Sequence, residues 1–435
     1  MRKIVCCVAG LLLAGGVCAN EGVPDIAPKE GWDSLPPVKA DAKDFAWWRG
    51  PGLNNIAHEG QTPPTEWGEQ KNIVWKKRLP GEGHSSPSIW GGRMYITAGD
   101  RERGTVVLHC LALDTGGGVW ETVVSEGPKY KMHNDNSTSS STPACDGTHI
   151  FVPFQTPTDV RLAAVKMDGT VAWRTTLAPY TSIQGYSASP TFYRSLVILP
   201  VEGAPLGEGS GSFMVAVHRG SGEIVWRTTL RKVKESYAST VVLKVAGRDQ
   251  LLLTGGDSTR SYDPLTGALI WECEGPSTFC GATPVADADT VYVTAGWPKR
   301  AVFAIRADGK GDITTTHLRW SSDVKAGYVP SLLLHGGLLY AVNDQGLLRC
   351  YSPSDGKVLW EHNFEKPFYS SPVVAGGRLY LFDRAGNGHI VPAGDKLGPI
   401  TTNTLPEGMF ATPVFKEGRM YLRTMGNIYC IGQKE

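Results

Sequence analysis

The chain has almost no net charge: 43 Lys and Arg stand against 42 Asp and Glu, +1 overall in 435 residues. No block of basic residues stands out, so the electrostatic footprint of a nucleic-acid partner is missing and none is expected. Past residues 4–17 no apolar run approaches the length of a spanning helix, so no transmembrane segment is expected. No segment keeps a helical hydrophobic period, which excludes a helical bundle. A nucleophile elbow, a phosphate-cradling loop, a calcium loop and zinc-type cysteine spacings are also missing. Turn formers are what the chain has instead. Its 52 Gly and 29 Pro, with 41% hydrophobic residues, suit many short strands around a large core.

Residues 1–19 read as a secretory signal. Arg2 and Lys3 form its basic start, Ile4 to Val17 its apolar run, and Val17-Cys18-Ala19 a small-residue cleavage site. Gly15 and Val17 fit a lipid-anchor signal at Cys18 poorly, so cleavage near Ala19 is expected, and a periplasmic or secreted protein. Residues 20–44 are proline-rich and aperiodic, which predicts a flexible leader, with a single domain over 45–435. In an oxidising compartment Cys273 and Cys280, flanking one short connection, are candidates for a disulfide. Cys110, Cys350 and Cys430 each fall in a late strand of their own repeat and read as buried small hydrophobes.

The repeat is the dominant signal. Leu113-Asp114-Thr115-Gly116 is followed by Trp120, and the outline returns at Gly169 and Trp173, Gly222 and Trp226, Gly267 and Trp271, and Gly356 and Trp360. In each case Gly stands four residues before Trp. The pattern is a hairpin: a strand ends, a turn needs φ > 0 at Gly, and the next strand carries an indole to a fixed place. It recurs roughly every 45 residues. A second marker, Ser or Thr before Pro, leads each unit at Ser86, Thr142, Ser189, Thr283, Ser371 and Thr412, with variants at Ser239 and Ser331. Eight markers accompany six Trp strands after the first (Trp120, Trp173, Trp226, Trp271, Trp320, Trp360); the seventh unit lacks one, and the eighth ends near Ile431 after three strands. The unclaimed strand around Trp75 supplies the fourth. These counts predict an all-β fold: an eight-bladed β-propeller of four-stranded antiparallel blades, closed by the N-terminal strand. The Trp residues then pack between blades, each burying on the order of 200 Å².

With Asp-x-x-Thr-Gly-x-x-x-Trp in place, the chain resembles the pyrroloquinoline quinone (PQQ)-like β-propeller repeat family over about residues 45–432. That family includes quinoprotein dehydrogenases and BamB-type scaffolds of outer-membrane assembly. Trp47-Trp48-Arg49-Gly50-Pro51 and the segment His133 to Pro143 also resemble a group of secreted bacterial propellers. The dehydrogenases of the family seat the quinone beneath an adjacent-cysteine disulfide with Ca²⁺ beside it. Here the one adjacent pair, Cys6-Cys7, lies in the signal, so no PQQ or other cofactor is expected and no catalytic or metal-binding residue is assigned. The resemblance implies a binding or scaffold protein with a protein or peptide partner, in the cell envelope or outer membrane. A quinoprotein dehydrogenase is the alternative, and a glycan-binding or glycan-processing propeller the second.

In a propeller the connection before each leading strand opens on one face of the channel. Those positions hold His84, Ser140, Tyr186, Tyr237, Cys280, Tyr328, Tyr369 and Phe410. As a rim they suit stacking on a ligand. The polar segment with His133, Asn134 and Asn136 is expected at the same face, where His84 and His133 could meet as a metal pair or as acid and base.

Overall fold

Every regular element is a strand in the computed structural model, which describes residues 23–203, 211–230, 235–322 and 325–433. The expected signal at 1–19, with Cys18, lies outside these residues. The strands form eight sheets. Seven are consecutive along the chain: 88–125, 144–179, 191–229, 241–274, 285–322, 333–363 and 373–404, called blades 1 to 7. Blade 8 joins Val414–Lys416, Arg419–Arg423 and Asn427–Ile431 to Ile73–Arg78. Trp75 pairs antiparallel with Cys430, and Arg78 with Asn427. The N-terminal strand thus completes the last sheet, as the repeat count requires, and the ring of eight blades closes.

Burial follows position within a blade. The second strands, such as Leu196–Val201 and Thr290–Ala295, are buried along their whole length because both faces meet neighbouring blades. Outer strands such as Gly118–Ser125 keep half their residues toward solvent. Blade 4 gains a fifth strand, Gly311–Asp312, paired parallel to its outer edge at Trp271 and Glu272; the insertion carrying it had no repeat signature.

The Gly and Trp of the repeat act across blade boundaries. The indole of Trp75 lies against Gly116, Trp120 against Gly169, Trp173 against Gly222, Trp226 against Gly267 and Trp320 against Gly356, so each of these five indoles meets the turn glycine of the next hairpin downstream. A Cβ added at these glycines would come within 2.5–2.9 Å of the ring, and all five have φ between +68° and +92°. Glycine is demanded twice there, by the turn and by the stacked indole. Trp75, Trp120 and Trp320 also donate their N–H to carbonyls of that turn, at Leu113 (3.1 Å), Met167 (3.0 Å) and Pro353 (2.7 Å). Trp360 reaches Gly394 O (3.0 Å) in blade 7. Trp271 differs, donating within its own blade to Gln250 Oε1 (2.7 Å). Blade 7 has no outer Trp; Trp67 from the N-terminal segment stacks there on Phe382 at 5.8 Å.

Two expectations change. Residues 23–36 do not trail free: Ile26 bridges Arg227 on the outer edge of blade 3, Asp33 pairs with Arg194 (2.8 Å), and Leu35 N–H reaches Ser195 Oγ (2.8 Å). An outer strand offers unpaired backbone groups, and this segment satisfies some of them. Cys273 and Cys280 are not bridged; both are free and buried. Cys273 sits in the outer strand of blade 4, whereas the Cys280 thiol lies inward against the carbonyls of Thr294 (3.2 Å) and Ala282 (3.4 Å). The connection between them runs the radial width of a blade, so seven residues of separation do not make them neighbours.

Candidate functional site

The Ser/Thr-Pro markers build the inner wall. Seven of the eight markers donate their N–H to the marker hydroxyl of the next blade: Ser86 to Thr142 (3.1 Å), Thr142 to Ser189 (3.0 Å), Ser189 to Ser239 (2.8 Å), Thr283 to Ser331 (2.9 Å), Ser331 to Ser371 (3.0 Å), Ser371 to Thr412 (3.0 Å) and Thr412 back to Ser86 (3.0 Å). A hydroxyl is the smallest side chain able to make this link, and the proline after it removes a competing N–H. At Thr283 the hydroxyl instead accepts the indole N–H of Trp48 (3.0 Å).

Trp48 belongs to a segment that runs beneath the ring. The carbonyls of Phe45 and Ala46 accept from Ile89 (2.8 Å) and Cys145 (2.7 Å), and Arg49 donates to Leu332 O (2.9 Å). Val374 donates its N–H to Asn55 O (3.0 Å) and accepts from Ala57 N–H (2.8 Å), and Asn55 donates its side-chain amide to Pro372 O (3.2 Å). Contacts to blades 1, 2, 6 and 7 pin Trp48 across the channel as a floor. Above it lies a cavity of about 420 Å³.

Of the expected rim, His84, His133, Asn136, Tyr237, Tyr328, Tyr369 and Phe410 line this cavity, as does Ser140. Tyr186 does not. It is turned between blades 2 and 3, edge-on to Tyr180, with its hydroxyl donating to Pro200 O (2.9 Å). Asn134 also lies outside the lining; its carbonyl takes a hydrogen bond from Arg101 (3.1 Å).

One charged group unites the wall. Arg384, from the loop after Arg378–Phe382, donates to Asp135 Oδ1 (2.6 Å) and lies over the rings of Tyr369 (4.5 Å) and Phe410 (4.7 Å). Phe410 in turn stacks on His84 at 4.4 Å and meets Tyr369 edge-on. Burial, reinforced by Arg423 and Arg101, pushes His84 down to about 3 and keeps it neutral. His84 and His133 share the cavity but make no contact: His84 is held by Phe410, while His133 Nδ1 accepts the Asp135 N–H (3.1 Å).

A quinone with calcium would require converging oxygen ligands. Among the described residues no group of three His, Cys, Asp or Glu is placed to hold a metal ion. The one carboxylate in the lining, Asp135, is engaged by Arg384. The described residues of the lining do not offer that set of charged ligands.

The model of the family described as outer membrane protein assembly factor BamB matches residues 65–198, 211–315 and 310–396. The chain belongs to this BamB family. It is 24% identical to the outer membrane protein assembly factor BamB of Yersinia pestis over 353 residues, 80% of this chain and 84% of that one. It is 22% identical to a tetrathionate hydrolase of Acidithiobacillus ferrooxidans over 342 residues, 71% of this chain and 64% of that one. Among solved structures, BamB from Moraxella catarrhalis superposes with a TM-score of 0.58 at 16% identity, covering 83% of this chain and 99% of that one. Quinohemoprotein alcohol dehydrogenase from Comamonas testosteroni gives 0.65 at 13% identity, covering 90% and 81%. At such identities the structures share the fold alone, which scaffolds and enzymes both use.

Proposed function

We propose that this BamB-family propeller is an exported, non-enzymatic binding and scaffold protein that holds a protein partner in the cell envelope. The observation that carries this is the state of the cavity's charged groups. Arg384 and Asp135 neutralise each other at 2.6 Å, and His84 is stacked and neutral. Among the described lining residues the Asp135 carboxylate is thus occupied by Arg384 and His84 by Phe410, which supports binding over acid–base chemistry at these two groups. The basic and apolar start of the chain supports export to the periplasm or beyond. The repeat residues shared with the family are turn and packing residues, which supports a common scaffold rather than a common reaction.

The test is in-cell cross-linking followed by purification of the tagged protein from the envelope fraction. Enrichment of outer-membrane assembly components supports the proposal. Robust dye reduction by alcohols or sugars from protein incubated with PQQ and Ca²⁺ would contradict it.

A further inference from the structure

The marker hydroxyls have a capacity that holding the ring together leaves unused. Each linked oxygen accepts one backbone N–H, and a hydroxyl that accepts still has its own proton to donate. For Ser86, Thr142, Ser189, Ser239, Ser371 and Thr412 no acceptor for that proton is found among the described residues, and all six line the cavity. The inner wall therefore carries a circle of neutral groups able to donate and accept. Ser140 and Ser187 add hydroxyls, and Asn136 and Gln184 add amides.

The lining also carries five aromatic rings, Trp48, Tyr237, Tyr328, Tyr369 and Phe410. Among the described residues neither Trp48 nor Tyr328 stacks on another ring, and Tyr237 has one parallel partner, Phe279, at 6.5 Å. Tyr237 and Tyr328 share with the hydroxyls the lining of a space closed below by Trp48. The charge in the lining is balanced by the Arg384–Asp135 pair, which gives a multiply charged anion no net attraction. At about 420 Å³ the cavity is also too small for a folded domain.

We propose that this funnel binds a neutral sugar ring, either a free monosaccharide or disaccharide or the terminal residue of a glycan. A pyranose is complementary to this wall at its edge and at its face. Its hydroxyls both donate and accept around the edge, and its axial C–H groups, slightly positive, sit against the negative face of an aromatic ring. The Arg384–Asp135 pair offers a fixed donor and acceptor side by side for two neighbouring hydroxyls. This site is separate from the scaffold role, since the outer surfaces of the blades remain available to a protein partner.

The experiment has two arms with the full mature chain. Calorimetry against glucose, galactose, N-acetylglucosamine, maltose and cellobiose probes free sugars, and a glycan array probes terminal residues; saturable binding in either arm supports the proposal. Tyr237→Ala and Tyr328→Ala should each weaken that binding by roughly tenfold or more. Gln184→Ala and Ser187→Ala serve if the tyrosine variants fold poorly, judged by circular dichroism. Capture of the envelope partner should survive in every variant, which separates the two functions. The proposal is overturned by blanks in both arms, by sugar binding unchanged in all four variants, or by inorganic phosphate, tetrathionate or PQQ displacing the sugar.

Discussion

Replacing Gly116 with Ala probes the seam where the two ends of the propeller meet. Gly116 has φ +68°, and an added Cβ would lie 2.6 Å from Cε3 of Trp75, the indole of the closing strand. Holding a residue other than glycine at positive φ costs about 1–2 kcal/mol. Forcing the indole aside adds about 1–3 kcal/mol of overpacking and strains its 3.1 Å bond to Leu113 O. The expected loss is about 2–5 kcal/mol in equilibrium urea unfolding. The coupling is the diagnostic part. In a Trp75→Leu background the clash is gone, so Gly116→Ala should cost only the backbone part, leaving an interaction energy of at least about 1 kcal/mol. Equal costs in the two backgrounds would refute the claim that this turn and the N-terminal strand touch.

Other outcomes follow from the same contacts. Ser86→Ala leaves the Thr412 N–H, now 3.0 Å from Ser86 Oγ, without its acceptor and should cost about 1–3 kcal/mol, whereas Ser86→Thr should be nearly neutral in the same urea titration. Burial pushes Glu202 up to about 8 from 4.5, Arg260 opposing, and its carboxylate oxygens have no hydrogen-bond partner. The folded protein holds that proton between these pH values while the unfolded chain has released it, so stability falls as pH rises through the window. The Tm advantage of Glu202→Gln should therefore grow between pH 4.5 and 8 and level off above; an advantage independent of pH would contradict the assignment. The six buried free cysteines should resist a thiol reagent in native protein and all react in urea, and dithiothreitol should leave Tm unchanged.

Local spacing made the blades legible. Gly four residues before Trp is visible in any window of the chain, and its cause, a turn glycine beneath a neighbour's indole, is local at both ends. Closure was legible as well, because a Trp strand without a unit and a unit without a fourth strand can be counted. The wall of the cavity was legible only in part. Tyr237 stands two residues before its marker and Tyr186 three; Ser187 takes the place two before Ser189 and lines the cavity, while Tyr186 is turned away with its hydroxyl on Pro200 O between the blades. Arg384 and Asp135 meet from opposite ends of the chain, and no periodicity links them. Trp48 could be seen as the start of order, but its place on the floor depends on Thr283, in blade 5, accepting its N–H. The leader misled for a related reason: aperiodic, proline-rich sequence does not reveal that Ile26 and Asp33 find partners on blade 3.

The claim on which the rest depends is the pairing of the first strand with the last. Arg78 and Asn427 are cross-strand partners in that pair. A chain carrying Arg78→Cys and Asn427→Cys, mildly oxidised while folded, should form an intramolecular disulfide, seen as a faster band on a non-reducing gel and as one linked peptide by mass spectrometry. If both thiols stay free while the protein remains folded, the ring does not close in this way.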